Sequence, residues 1–208
     1  MLFKTLVISA ASLTVLAPAL FTTPVSLAPG GTVTTFTPTT SSFTGTEVAA
    51  YSATFSNAYE NGSVHEDVYN NSGALDFYYQ IVNNASSADD IMRVTVGLYT
   101  GFTTAVDYLL NGAVAPSSAN RQAAGDSVGF YIGLAPGETT DWLEVATDAS
   151  FYAPGTIALI DTHTTSLGGF GPAVPEPRPL RLLSAGLLLI GIARLRVLQK
   201  ARISPPGA

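Results

Sequence analysis

The sequence contains no cysteine, which excludes disulfide bonds, thiolate metal ligands and cysteine nucleophiles. Histidine is also scarce, so any chemistry that needs an imidazole base must use His65 or His163. Basic residues are nearly absent from residues 29–173, where Arg93 and Arg121 stand against 14 acidic residues for a net charge of −12. Because a phosphate backbone recruits lysine and arginine, so acidic a body excludes nucleic-acid binding.

The remaining composition is that of a folded β domain. Apolar residues make up 47% of the 208 and charged residues 12%, and the 9 Tyr and 10 Phe indicate a packed core. Thr, Ser, Gly and Asn fill much of the rest, which favours strands and turns over long helices. We therefore predict a mainly β fold, a single antiparallel β-sandwich of jelly-roll type over residues 29–173, flanked by an N-terminal signal helix and a C-terminal transmembrane helix.

Alternation with a period of two marks the strands. It places the following residues on buried faces: Leu75, Phe77, Tyr79 and Ile81; Met92, Val94, Val96 and Leu98; Val128, Phe130 and Ile132. Residues 143–145 and 156–160 continue the series, and only residues 104–110 have a helical alternative. Turns are predicted at 70–73 (NNSG), 135–138 (APGE) and 153–155 (APG), and residues 32–46 are either an edge strand or a flexible lead-in.

Residues 1–28 have the layout of a secretory signal peptide. Lys4 supplies a positive start, and residues 6–16 form an apolar run of the length that such peptides use. Cleavage is expected after Ala19 or after Ala28. This signal would direct the chain to the Sec translocon and to signal peptidase.

The C-terminal end combines a proline motif, an apolar run and a basic tail. Pro175, Glu176 and Pro177 lie before an uncharged run at 182–193, which becomes long enough to cross a bilayer if it extends over about 180–198. The basic tail consists of Arg194, Arg196, Lys200 and Arg202. It favours a cytoplasmic C-terminus by the positive-inside bias. Flanking prolines keep the motif extended, as suits a segment that an enzyme grips.

These three parts, in this order and with an N-terminal signal peptide, resemble the PEP-CTERM sorting signal of exported bacterial proteins. The resemblance covers residues 174–208. It implies that an exosortase in the membrane recognises Pro175, Glu176 and Pro177, and that the protein reaches the cell surface or the extracellular space after a transient membrane anchorage. It further implies a link to exopolysaccharide and biofilm production.

The residues offer little sign of catalysis. Neither His65 nor His163 lies in a hydrolase or zinc motif. We expect His65 at a solvated strand edge and His163 in a loop. Glu66–Asp67 and Asp89–Asp90 are the densest acidic pairs and leave calcium open, but no metal site or cofactor is predicted. The prediction is a non-enzymatic structural or adhesive surface protein.

Two alternatives remain. Tyr78, Tyr99 and Tyr131 fall at positions expected to be exposed. Together with Trp142 they could stack on sugars, which would make the domain a carbohydrate-binding module for exopolysaccharide. A secreted hydrolase is the less favoured alternative.

Overall fold

A computed structural model describes residues 23–38, 42–111 and 113–175. Within these residues the chain forms strands and turns and no helix. The strands are β1 Val25–Ser26, β2 Thr32–Val33, β3 Thr46–Ser56, β4 Asn61–Asn71, β5 Ala74–Asn83, β6 Ile91–Gly97, β7 Thr104–Leu109, β8 Ser118–Arg121, β9 Ser127–Leu134, β10 Trp142–Thr147, β11 Phe151–Ile160 and β12 Thr164–Ala173. The mainly β prediction is confirmed, and residues 104–109 are a strand and not a helix.

The strands form two antiparallel sheets of six. The first sheet has the order β1-β7-β10-β5-β4-β3, and the second has the order β12-β11-β6-β9-β8-β2. Both sheets contribute to one core cluster, with Val64, Phe77 and Leu143 from the first and Val94, Phe130 and Ile157 from the second. Each of these six side chains is fully buried. The apolar faces predicted by the period-two pattern are thus covered by one another.

The predicted alternation fails at both ends of β6. Its pairing with β9 shifts register between Ile91 and Arg93, and Met92 is therefore turned outward and 50% exposed. At the other end Leu98 has a φ of 74° and is 46% exposed. A positive φ reverses the strand parity, so the next residue, Tyr99, is directed into the core.

Two of the three predicted turns are present. Residues 70–73 connect β4 to β5, with positive φ at Ser72 (59°) and Gly73 (100°), the conformation that a two-residue hairpin requires. In residues 135–138 the Glu138 N–H donates to the Ala135 carbonyl at 3.1 Å, and Gly137 has a φ of 91°.

The turn predicted at 153–155 is wrong. Pro154 and Gly155 lie inside β11, opposite Phe170 and Gly169 of β12. Proline is tolerated there because β6, the neighbour on the other side, pairs only with Ile157 to Ile160. The missing N–H of Pro154 therefore faces no strand.

The β structure begins before the predicted boundary at residue 29. Val25 and Ser26 of β1 pair with Val106 and Ala105 of β7. Leu27 is 1% exposed, and its N–H donates to the Thr104 carbonyl at 2.9 Å. Residues 25–27 are therefore part of the sandwich. Of residues 32–46, only Thr32–Val33 and the start of β3 are strand among the residues that are described.

Candidate functional site

The four aromatic residues predicted to stack on a ligand do not form one surface. Tyr78 is 1% exposed and Tyr99 is fully buried, so the expectation that both are exposed is wrong. Tyr99 is turned inward at the break in β6 and shares a hydrogen bond of 2.9 Å between its hydroxyl and that of Tyr79. Trp142 and Tyr131 lie in different sheets, on β10 and β9. Of the four, Tyr131 is the most exposed, at 39%, and the Arg93 guanidinium lies over its ring, 4.9 Å from the centroid.

Tyr78 is buried because a preceding segment crosses the outer face of the first sheet. The Phe43 ring lies 4.9 Å from that of Tyr69, 4.8 Å from Tyr78 and 5.1 Å from Trp142, measured between centroids. Nothing in the local alternation around Tyr78 signals a cover that comes from a distant part of the chain. The result is a small aromatic layer outside the main core.

Beneath this layer lies a carboxyl group paired with the Tyr78 hydroxyl. Tyr78 donates to Glu144 Oε1 at 3.0 Å, and the two residues are opposite one another in the register of β5 and β10. The pKa of Glu144 is raised to about 7, chiefly by burial and also by the nearby charges of Asp76 and Asp107, against the lowering effect of the Tyr78 hydrogen bond.

Asp76 on β5 and Asp107 on β7 lie on the same face of the sheet, one on each side of the central strand β10. Asn71 Nδ2 donates to Asp76 Oδ2 at 3.1 Å, and burial raises the pKa of Asp76 to about 6. Asp107 accepts from the Thr37 hydroxyl at 3.5 Å and from the Tyr108 N–H at 2.9 Å. Each of these acids is at most 7% exposed, as is Glu144. The three carboxyl groups are thus satisfied by neighbours and closed to a substrate, which gives them a structural role.

His65 is partly buried on β4, between β3 and β5, and so does not lie at the predicted strand edge. Its Nδ1 lies 2.9 Å from the Ser52 hydroxyl and its Nε2 lies 3.3 Å from the Ser63 hydroxyl. A serine hydrolase needs a carboxylate or equivalent acceptor on the second nitrogen to orient the base. Ser63 stands in that place, so this pair does not form the triad arrangement.

His163 lies in the loop between β11 and β12, as predicted, and its imidazole is close to the carboxyl groups of Asp89 and Asp161. One ligand atom each from Asp89, Asp161 and His163 lie within 4.8 Å of one another. Of the acidic pairs noted in the sequence, Asp89 thus joins a cluster, whereas Glu66 is buried in the core. Asp161 and His163 carry no sequence motif, and only the fold brings them to Asp89.

The sorting residues lie at or beyond the end of the described chain. Pro175 is exposed, two residues after the end of β12. Glu176, Pro177, Arg194, Arg196, Lys200 and Arg202 lie outside the described residues, as do both predicted flanking helices. In the part of the chain that the structure describes, no helix has the length and apolar character needed to cross a bilayer.

No family model, curated protein or solved structure matches the chain, so its function has to be inferred from its own residues.

Proposed function

We propose that the protein is an exported, exosortase-sorted protein of the cell surface or extracellular matrix. Its ectodomain has a non-catalytic, structural or adhesive role linked to exopolysaccharide or biofilm. Its partners are signal peptidase and the Sec translocon during export, the membrane during transient anchorage, and the exosortase during sorting.

The single observation that carries this proposal is the exposure of the residues that follow β12. Among the residues that the structure describes, the final strand ends at Ala173, Val174 is 73% exposed, and Pro175 is exposed as well. The Pro-Glu-Pro motif therefore begins directly outside the domain, where a membrane enzyme can grip it without unfolding a strand. A motif that continued into the sheet would not be accessible in this way.

The other end of the domain favours one of the two cleavage positions. Cutting after Ala28 would remove β1 and the buried side chain of Leu27, whereas cutting after Ala19 keeps both. Loss of a buried leucine costs about 2–5 kcal/mol. We therefore propose that the mature chain starts at Leu20.

The fold details also agree with a passive surface module. Successive strands from β5 to β8 and from β9 to β11 alternate between the two sheets, which supports the proposed jelly-roll connectivity. Of the four aromatic residues considered for carbohydrate binding, Tyr78 and Tyr99 are buried, and the remaining two, Trp142 and Tyr131, lie on separate sheets. No observation favours that alternative over the structural role.

The test is the intact mass of the protein isolated from its own cells, with and without the exosortase. We expect a C-terminus near Pro177 only when the enzyme is present, and an N-terminus at Leu20. A Glu176→Ala variant should stay unprocessed, while Glu138→Ala, which removes an exposed acid of the folded domain, should be processed normally. A mass that still includes residues 194–208 in both strains would overturn the sorting proposal.

A further inference from the structure

Three loops meet at one end of the sandwich and bring acids and a histidine together. The first loop is the turn from β3 to β4, residues 57–60. Asp89 lies in the connection from β5 to β6, and Asp161 and His163 lie in the turn from β11 to β12. One ligand atom from each of these residues is within 4.8 Å of those of the other two. Ligands of a single cation stand about 2.0–2.2 Å from it, so opposite donors are about 4 Å apart. The cluster therefore already has nearly the spacing of a coordination sphere.

Glu60 provides an independent sign that this place accommodates a positive charge. It precedes β4, is fully buried, and its Oε1 has no hydrogen-bond partner among the described residues. The other oxygen accepts only a long bond of 3.4 Å from Asn57 Nδ2. The Glu60 carboxyl group lies close enough to Asp161 and His163 to interact electrostatically with both side chains. Two neighbouring acids, one with an unpartnered buried oxygen, are costly unless a proton or a cation lies between them.

The three loops are held to one another by bonds that do not involve the carboxylates. The Tyr59 carbonyl accepts the N–H groups of Ala88 at 2.7 Å and of Asp89 at 3.2 Å. The Tyr59 ring stacks on the His163 imidazole, with 3.9 Å between centroids. Asn57 Nδ2 donates to the Thr165 hydroxyl of β12 at 2.8 Å. The donor groups are thus pre-positioned, which lowers the cost of binding.

The cluster opens to solvent on one side. A depression of about 570 Å³ adjoins it, lined by Ala88, Asp89, Asp90, Met92, Asp161 and Thr162. A water occupies about 30 Å³, so the depression admits a hydrated cation and leaves room for water ligands. The net charge of −12 on residues 29–173 raises the local concentration of cations.

We propose that Glu60, Asp89, Asp161 and His163 form a binding site for a divalent transition-metal cation such as Mn²⁺ or Zn²⁺. Three carboxylates and one imidazole match the mixed oxygen and nitrogen ligation of these ions. Calcium prefers six to eight oxygen ligands, and the imidazole disfavours it. The bound ion would join the β3–β4 turn of the first sheet to the β11–β12 turn of the second. This inference does not depend on the sorting proposal.

The experiment uses the full-length, tag-free chain in detergent, freed of metal with a chelator. Calorimetric titration with MnCl₂, ZnCl₂ and CaCl₂ should show saturable binding of one Mn²⁺ or Zn²⁺ and much weaker binding of Ca²⁺. Asp161→Asn and His163→Gln should each weaken binding by about tenfold or more. The matched controls Asp126→Asn, on an exposed acid of the β8–β9 loop, and His65→Gln should change it little.

A second measurement locates the ion without any substitution. The chain has two histidines, so each imidazole C–H signal can be assigned by NMR. Paramagnetic Mn²⁺ should broaden the His163 signals well before those of His65. Asp161 Oδ1 also accepts the main-chain N–H of His163, so Asp161→Asn can disrupt the fold of this turn. In that case His163→Gln and the NMR titration test whether the metal binds at the proposed site. Absence of binding at millimolar metal, equal weakening by all four variants, or equal broadening of both histidines would each overturn the proposal.

Discussion

Glu66 Oε2 accepts the main-chain N–H of Phe170 at 2.8 Å, and this bond joins β4 of the first sheet to β12 of the second. The Glu66 side chain is fully buried, and its Oε1 has no partner among the residues described. Burial raises the pKa of Glu66 to about 7, against the lowering effect of the hydrogen bond from the Phe170 N–H. One carboxyl group in the core therefore changes charge near neutral pH.

Replacing Glu66 by glutamine should stabilise the protein at alkaline pH. An acid with a raised pKa in the folded state contributes stability that is fully present below its unfolded value of about 4.5 and is lost as pH rises through about 7. Glutamine keeps an acceptor for Phe170 but never ionises. We expect Glu66→Gln to raise the free energy of unfolding by at most about 3 kcal/mol at about pH 8, and to change it little at about pH 4.

Urea denaturation across this pH range measures the difference between Glu66→Gln and the parent protein. Glu47→Gln, at an exposed position of β3, is the control and should leave the pH profile nearly unchanged. A difference that is the same at both pH values would show that Glu66 does not titrate as stated.

Removing the Tyr78 hydroxyl should destabilise the protein most when Glu144 is ionised. That hydroxyl donates to Glu144 Oε1 at 3.0 Å, and a hydrogen bond to a buried charged group contributes about 1–3 kcal/mol. We expect Tyr78→Phe to lower the free energy of unfolding by about this amount above pH 7, and by less at pH 5. Tyr131→Phe, on an exposed ring, is the control. Equal losses for the two variants would contradict the pairing.

Arg121 should not be replaceable by lysine. Arg121 is 4% exposed, and each nitrogen of its guanidinium donates a hydrogen bond: Nη2 to the carbonyls of Tyr99 at 2.6 Å and Phe102 at 3.0 Å, Nε to the Gly125 carbonyl at 3.1 Å, and Nη1 to the Thr104 hydroxyl at 3.1 Å. Lysine has a single ammonium group and cannot reproduce this planar fork. We expect Arg121→Lys to cost about 3 kcal/mol of stability in a denaturant titration.

Arg93→Lys gives the comparison for that experiment, because Arg93 is partly exposed and contacts Tyr131 and Asn120 at the surface. A cost below about 1 kcal/mol is expected there. If both substitutions lower the free energy of unfolding equally, the hydrogen bonds from Arg121 to the backbone carbonyls make no special contribution to stability.

The chain's single tryptophan reports on the aromatic layer. Phe43 packs edge-on against Trp142 at 5.1 Å, so Phe43→Ala should expose the indole. We expect a red-shifted emission maximum and stronger acrylamide quenching in the folded protein. Phe151→Ala, which removes a ring that is 51% exposed on β11, should leave the emission unchanged. An unshifted spectrum for Phe43→Ala would mean that another group shields Trp142.

Local patterns predicted those features that depend on neighbouring residues. The buried faces predicted in β5 and β9 and the Asn-Asn-Ser-Gly turn that precedes β5 are set by side-chain parity and by backbone preference. Pro154 misled the turn prediction because proline also fits a strand that has a neighbour on one side only. Whether a strand has that second neighbour depends on how far β6 reaches, which no local pattern encodes.

The candidate site was predictable only in fragments for the same reason. Asp89 stands out beside Asp90, but Asp161 and His163 reach it through pairing of β11 with β6 and β12. The burial of Glu60 likewise follows from loops packing over it. Tyr78 was predicted to be exposed because Phe43, which covers it, approaches from a distant part of the sequence.

The position of β12 determines how the domain would respond to mechanical load. It is an edge strand, paired along ten residues with β11 alone, and its last residue, Ala173, leads directly to the C-terminal segment. Tension on that segment acts first on the Ala173–Phe151 pair and then separates β12 from β11 one residue pair at a time. Separating the pairs in sequence needs less force than breaking all ten pairs at once. The Phe170 N–H held by Glu66 is the first bond to the other sheet along that path. Protonation of one buried carboxyl would thus set the force at which a tethered copy begins to unravel.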